Sequence, residues 1–345
     1  MGYIYTKSGK LAKRLYFGAV LLFEGLYYTF KNRVLADGGT FVENELPTIS
    51  QDASLVLTPN AYKAGKLYSA VPNDGTGDFT VDRNSTATYI DEDRLIKTAL
   101  ANVPRIDWST GAPVILREFQ QTNLIAYSEN FTISYWSNKG LETVSNAVTS
   151  PDGTINADKI IATEISQPRI EYQIPVPVSD ITYTFSAYVK KGNTPFVGIS
   201  TFSSTVWVIF NLDTITVVSS NTNTALINEL SNGWFRISLS TTKNTSDTYN
   251  IWKVHLTDGI IFSDGIVDDY IYIWGAQLEE SSTASSYIPT NGTTVTRLAD
   301  NISVPTPAGV TSITETIDGV EQTPITTIPT TYSLPVGNIN KVTML

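Results

Sequence analysis

The chain has no cysteine and a single histidine, His255. Without cysteine there are no disulfides, no thiolate nucleophile and no sulfur-ligated metal. One imidazole excludes His-rich metal centres and leaves His255 as the sole base for any Ser–His–acid triad. It lies beside Lys253 on the polar side of "NIWKVHLT", residues 250–257, where Trp252, Val254 and Leu256 take the inward side. That pattern predicts an exposed, non-catalytic His255. Charge is also sparse, with Asp, Glu, Lys and Arg making up 16% of 345 residues and acids outnumbering bases 33 to 23. A formal net charge of −10 does not supply the clustered cations that a phosphate backbone requires, which argues against nucleic acid as a partner. No long stretch shows the 3.6-residue apolar period of a helix.

What the chain does have is Thr, Ser and Asn in abundance, with 18 Tyr and 13 Phe against two Met. β-branched and aromatic residues suit the pleated, half-buried surface of a sheet. From about residue 121 the alternation becomes regular. In "TYTFSAYVK", 182–190, Tyr183, Phe185, Ala187 and Val189 share one face, and Thr184, Ser186 and Tyr188 the other. Only a two-residue period does this. "TVWVIFN" (205–211), "GWFRISLST" (233–241) and "NIWKVHLT" repeat it, separated by Gly-Asn, Asn-Gly and Asp-Gly turn signals. "DDYIYIWGAQL", 268–278, is apolar on both faces, which predicts a central strand. The fold class this implies is mainly β: a jelly-roll β-sandwich, with an N-terminal attachment region and an extended C-terminal tail.

The two ends differ from this middle. Residues 1–40 carry six Lys or Arg against two acids, a net +4, and leave −14 on the rest, so the head faces a different partner. Residues 15–23 are continuously apolar up to Glu24 and Gly25. Three readings compete: a signal-type segment, a membrane-contacting or spanning segment over 15–30, and a hydrophobic segment buried in an oligomer or against another protein. The third is favoured, because the run is short for a span and carries Glu24. Residues 304–338 are rich in Thr and Pro; Pro305, Pro307, Pro324, Pro329 and Pro335 confine that stretch to edge strands or extended structure that buries little by itself. The expected domains are 1–55, an attachment region; 56–120, an extended β adaptor; 121–303, the jelly roll; and 304–345, the tail.

A series of motifs occurs in order: "DFTVDRNSTATYID", "ANVPRIDW", "REFQQTNLIAYSENF", "SPDGTINADKI", "YTFSAYVKKG", "GWFRIS" and "YIWGAQLEESSTASSYIPTNGTTVTR". This series resembles a family of bacteriophage virion proteins, head fibres, tail fibres or minor structural proteins, common in phages of Bacteroidetes-type hosts. It spans residues 56–300. The resemblance implies a carbohydrate-binding-module-like jelly roll and a location at the particle surface; residues 1–32 lie mostly outside the match, and attachment to capsid, portal or tail proteins through the N-terminal region is a separate expectation. The resemblance also implies a homo-oligomer, with a trimer favoured because fibres commonly close by cyclic symmetry. "YIPTNGTTVTRLAD" is expected to run back beside "FTVDRNSTATYI", since 282–288 echoes 85–90.

Three aromatic residues fall on polar faces: Tyr188, Trp207 and Trp234. A flat ring beside polar groups can stack on the C–H face of a pyranose, so these are candidate contacts for a host-surface glycan, with structural packing as the competing reading. Modules that this one resembles often hold structural calcium; Glu129, Asn130 and Asp268 are oxygen donors near the domain's ends, with ordinary loop polar residues as the favoured reading, and no other cofactor is expected. Neighbouring acids (Asp91-Glu92-Asp93, Asp268-Asp269, Glu279-Glu280) point to opposite faces of a strand and read as solvated turns, not as a glycosidase pair. The expected function is therefore non-enzymatic: a fibre, spike or decoration subunit used in adhesion. A capsid-cementing protein without ligand and a polysaccharide depolymerase stay as alternatives.

Overall fold

A computed structural model describes residues 52–72, 76–174, 180–201, 206–220, 224–243, 250–260 and 264–345. The attachment region before residue 52, including the apolar segment 15–30, lies outside these. Among the described residues every long element is a strand, and no helix is long and apolar enough to cross a membrane. The chain divides into two compact units.

The larger unit comprises residues 83–112 and 118–300. Among its described residues, two antiparallel six-stranded sheets form the sandwich. The first runs Ser137–Lys139, Arg169–Ile174, Asn250–Leu256, Phe196–Thr201, Val206–Asn211, Thr216–Ser220. The second runs Leu141–Thr149, Ile155–Ala162, Tyr270–Glu279, Thr182–Lys191, Trp234–Thr242, Ala225–Glu229. Each strand expected between 182 and 278 forms within two residues of its predicted place, and Tyr270–Glu279 is central. Tyr183, Phe185, Ala187 and Val189 of the second sheet meet Val197, Ile199, Trp252, Val254 and Leu256 of the first in one apolar core. Burial of that area drives the sheets together, at about 25 cal/mol per Å² of apolar surface.

The motif "IWGAQL" contains a β-bulge. Ser186 pairs with Gln277 and Tyr188 with Trp274, so one extra residue sits opposite Ala187. Gly275 fills that bulge with φ +63°, and a Cβ there would lie 2.6 Å from the Tyr188 ring. Glycine is required on both counts. The bulge frees the next residue for other partners: Ala276 N–H donates to Ser128 O at 2.8 Å, and Asn123 Nδ2 donates to Ala276 O at 3.1 Å.

The smaller unit comprises residues 52–82, 113–117 and 301–345 among those described. It corrects the reading of the C-terminal tail as an extended end. Gly337–Met344 pairs with Leu55–Leu57, with Ile313–Ile317 and with Val114–Arg117. Ile339, Val342 and Met344 have no exposed surface. Asn301–Pro305 lies between Thr80–Asp82 and Thr331–Ser333. The tail buries its sparse Ile, Val and Tyr by pairing with strands from the start of the chain. Its prolines are displaced to strand ends and loops, Pro305 closing a strand and Pro324 and Pro329 exposed. The expected boundaries at 56–120 and 303/304 are corrected accordingly, because strand pairing, and not chain order, sets the units.

The expected return of the exit segment beside the entry segment is found. Asn301 pairs with Asp82, Leu298 N–H donates to Ser85 Oγ at 3.0 Å, and Thr88 Oγ1 donates to Tyr287 O at 2.5 Å.

Candidate functional site

Two of the three aromatic candidates are withdrawn from solvent. Tyr188 is 3% exposed and Trp234 1%. They form a second apolar cluster with Trp274, Tyr287 and Ile96 on the outer face of the second sheet. The Tyr188 ring meets Tyr287 edge-on at 5.7 Å, and Trp234 Nε1 donates to Thr149 O at 3.0 Å. Neither ring has a face for a sugar, so these positions are corrected to packing residues. The sheet's polar face is itself covered by the segments that carry Ile96 and Tyr287.

Trp207 is half-buried. The strand registers place it in a row across the outer side of the first sheet: Trp207 opposite Ser200, Ser200 opposite Lys253, Lys253 opposite Glu171. His255 belongs to the same sheet and is corrected from exposed to buried, at 2%. Its Nε2 and Ser200 Oγ lie 2.8 Å apart in a hydrogen bond. Burial, helped by the Lys253 and Arg169 charges, holds its pKa well below the usual histidine value, so the ring is neutral.

The acid groups divide in two. Asp91 is a turn cap, accepting the N–H of Asp93 at 3.0 Å and of Leu95 at 2.9 Å. Glu279 is not a solvated acid: it has no exposure, accepts the N–H of Ser285 at 3.1 Å, and burial raises its pKa.

Sequence reading missed a buried ionic cluster. Arg83, Arg105 and Arg297 are at most 1% exposed. Arg83 Nη1 donates to Asp300 Oδ1 at 2.7 Å, Arg105 Nη2 pairs with Asp300 Oδ2, and Arg105 Nη1 reaches Glu118 Oε2 at 2.7 Å. Ser286 adds its N–H and hydroxyl to Glu118 at 2.8 and 2.6 Å. Burial alone would raise Glu118, but the Arg105 and Arg297 charges and the Ser286 hydrogen bonds outweigh it and bring its pKa down to about 2. "VDRN", "VPRIDW", "REF", "SSYIPT" and "TRLAD" thus share one clasp. Its burial makes it a structural pin with no room for a substrate.

An open concavity of the larger unit lies at the edge of the second sheet. It has a volume of about 270 Å³, and its walls include Tyr127, Glu129, Asn130, Asn146, Asn156 and Asp158. It exists because Leu141–Thr149 leaves the ladder between Val144 and Val148, where Asn146 takes φ +53°. Asp158 fills the gap, its two oxygens accepting the N–H of Asn146 at 2.9 Å and of Phe131 at 2.8 Å. Glu129 accepts from Tyr287 Oη at 2.9 Å and from Asn156 Nδ2 at 3.2 Å. Burial raises the pKa of both carboxyls, and Asp152 nearby adds to the shift at Glu129. Asn130, Asn146 and Asn291 open the cavity to solvent.

The calcium donors expected from the sequence do not converge. Glu129 and Asn130 share this cavity, but Asp268 sits in the turn before Tyr270 at φ +69°, its carbonyl taken by Asn193 Nδ2 at 3.0 Å. Among the described residues no three His, Asp or Glu are grouped to hold a metal ion.

No protein-family model matches the chain, and no curated protein does. Solved structures with a similar layout include the xylan-binding CBM22-1 domain of Paenibacillus barcinonensis Xyn10C, at TM-score 0.30 and 9% identity over 49% of this chain and 98% of that one. The mannan-recognising carbohydrate-binding module TmCBM27 follows at TM-score 0.26 and 12% identity, over 49% and 99%. The enzymatically active domain of bacteriophage CBA120 tailspike protein 4 is similar at TM-score 0.29 and 10% identity, over 45% of this chain and only 21% of that chain. The neighbours covered over nearly their whole length are carbohydrate-binding modules.

Proposed function

We propose that this chain is a structural protein of a bacteriophage particle, a fibre, spike or decoration subunit whose β-sandwich holds a glycan of the host surface. The ordered series of motifs from "DFTVDRNSTATYID" to "TVTR" supports the virion part of this reading. The observation that carries the adhesion part is the cavity at Glu129 and Asp158: an open, hydrogen-bonding hollow with Tyr127 in its wall, set on a rigid sandwich. Trp207 and its row of polar neighbours offer a second, flatter contact. Asp158 is committed to two backbone amides and Glu129 to Tyr287 and Asn156, which suits holding a ligand more than cleaving one. The basic head would attach to capsid, portal or tail, and a trimer would multiply weak contacts into useful avidity.

The test compares particles with and without the protein. Loss of adsorption to host cells, with glycan-array binding by the purified full chain, is the expected result. Normal adsorption with a fall in particle heat stability would replace this reading with capsid cementing. Sugar release from host polysaccharide would replace it with a depolymerase.

A further inference from the structure

The cavity carries acids and no positive charge. Glu129 and Asp158 bring two carboxylates, Asp152 lies close enough to Glu129 to affect its titration, and no Lys or Arg is among the lining residues. Two polar atoms in the wall have no partner. Thr290 is 5% exposed and its Oγ1 makes no hydrogen bond. Asn156 donates through Nδ2, but its buried Oδ1 accepts nothing. A buried polar atom left unsatisfied costs about 1–3 kcal/mol, and such groups in a native fold call for an explanation. Burial raises both carboxyls, as expected where acids stand without a cation.

We propose that this cavity binds the protonated amine of an amino sugar. An ammonium supplies three N–H donors and the missing positive charge at once, whereas a hydroxyl supplies one donor and no charge. Asn156 Oδ1, Thr290 Oγ1 and the remaining lone pairs of Glu129 are its acceptors, and Tyr127 stands beside the ring carbons. The volume, about 270 Å³, is just under the roughly 300–1,000 Å³ of ordinary ligand pockets, so it suits one ring and not a chain. Uronic and sialic acids are excluded by like charge. The inference rests on the adhesion reading and names the sugar class for the same site.

The experiment titrates the purified full chain, by calorimetry at pH 7, with glucosamine, N-acetylglucosamine, glucuronate, butylamine and calcium chloride. Glucosamine is expected to bind, N-acetylglucosamine at least about tenfold more weakly (1.4 kcal/mol), and glucuronate not at all. Butylamine weaker than glucosamine supports a sugar; an equal affinity overturns the sugar and leaves a bare amine site. Saturation by calcium without glucosamine binding overturns the proposal in favour of a metal site. Thr290→Val is the decisive variant, because its hydroxyl has no partner in the fold: it should keep the melting temperature and lose glucosamine affinity about tenfold. Unchanged affinity in both Thr290→Val and Glu129→Gln overturns the inference. A neutral glycan bound elsewhere, and lost in Trp207→Ala, would do the same while leaving the adhesion reading intact.

Discussion

The space between the two sheets and the Arg–Glu–Asp clasp are both buried, and they are held in opposite ways. Between the sheets, Tyr183, Phe185, Val254 and their neighbours contribute through apolar area, which is non-directional and shared among many contacts. In the clasp, three guanidiniums face two carboxylates, and each ion is tolerable only because specific partners remain. The lesson is one of tolerance. A trimmed core side chain costs its own area and cavity, whereas a missing clasp member also strands the charge it neutralised.

The strongest way to break this comparison is Asp300→Ala, which leaves Arg83 and Arg105 buried and short of an anion. Destabilisation of about 3–5 kcal/mol is expected. All six tryptophans belong to the larger unit, so denaturant unfolding followed by Trp fluorescence reads that unit alone. A loss below about 1 kcal/mol would show that the clasp holds nothing. Gly275→Ala comes next: a left-handed φ and the Tyr188 contact predict a loss of about 2 kcal/mol by the same measurement. Ile160→Val, within the core, should cost only about 1 kcal/mol.

Acid sharpens the contrast without a mutation. Glu118 titrates near 2 in the folded protein, below its unfolded value, so its contribution is complete above the unfolded pKa and is lost as pH falls toward 2. Melting of the larger unit should therefore hold to about pH 4.5 and drop steeply below. Glu279 runs the other way. Its pKa is raised by burial, so its charge is a cost at neutral pH and none once it is protonated. Glu279→Gln should raise stability at pH 7 by less than about 1 kcal/mol, a gain that fades as the pH is lowered.

The sandwich strands were legible because each carries its own evidence. Alternation in "TYTFSAYVK" is local, whereas the bulge at Gly275 emerges only from the strand register. Tyr188 and Trp234 were misread from the same alternation: it separates two faces but does not say whether the second face is covered. Coverage came from Ile96 and Tyr287, distant in sequence. His255 was misread for the same reason. The tail held a signal that was passed over, since Asp318-Gly319, at φ +51° and +78°, is the two-residue turn joining Ile313–Ile317 to Val320–Glu321. The cavity had no signal of that kind, because Glu129, Asn146, Asp158 and Thr290 come from four separate stretches.

By itself, then, the sequence determined a sheet protein: side chains alternating with period two, turns where glycine and asparagine allow them, and no thiol or imidazole cluster for chemistry. Only the tertiary structure decided which polar faces meet water, which arginines share an aspartate, and where a strand leaves its ladder to open a hollow. The reason is range. Periodicity and turn preference act between neighbours along the chain, whereas burial and charge pairing act between neighbours in space.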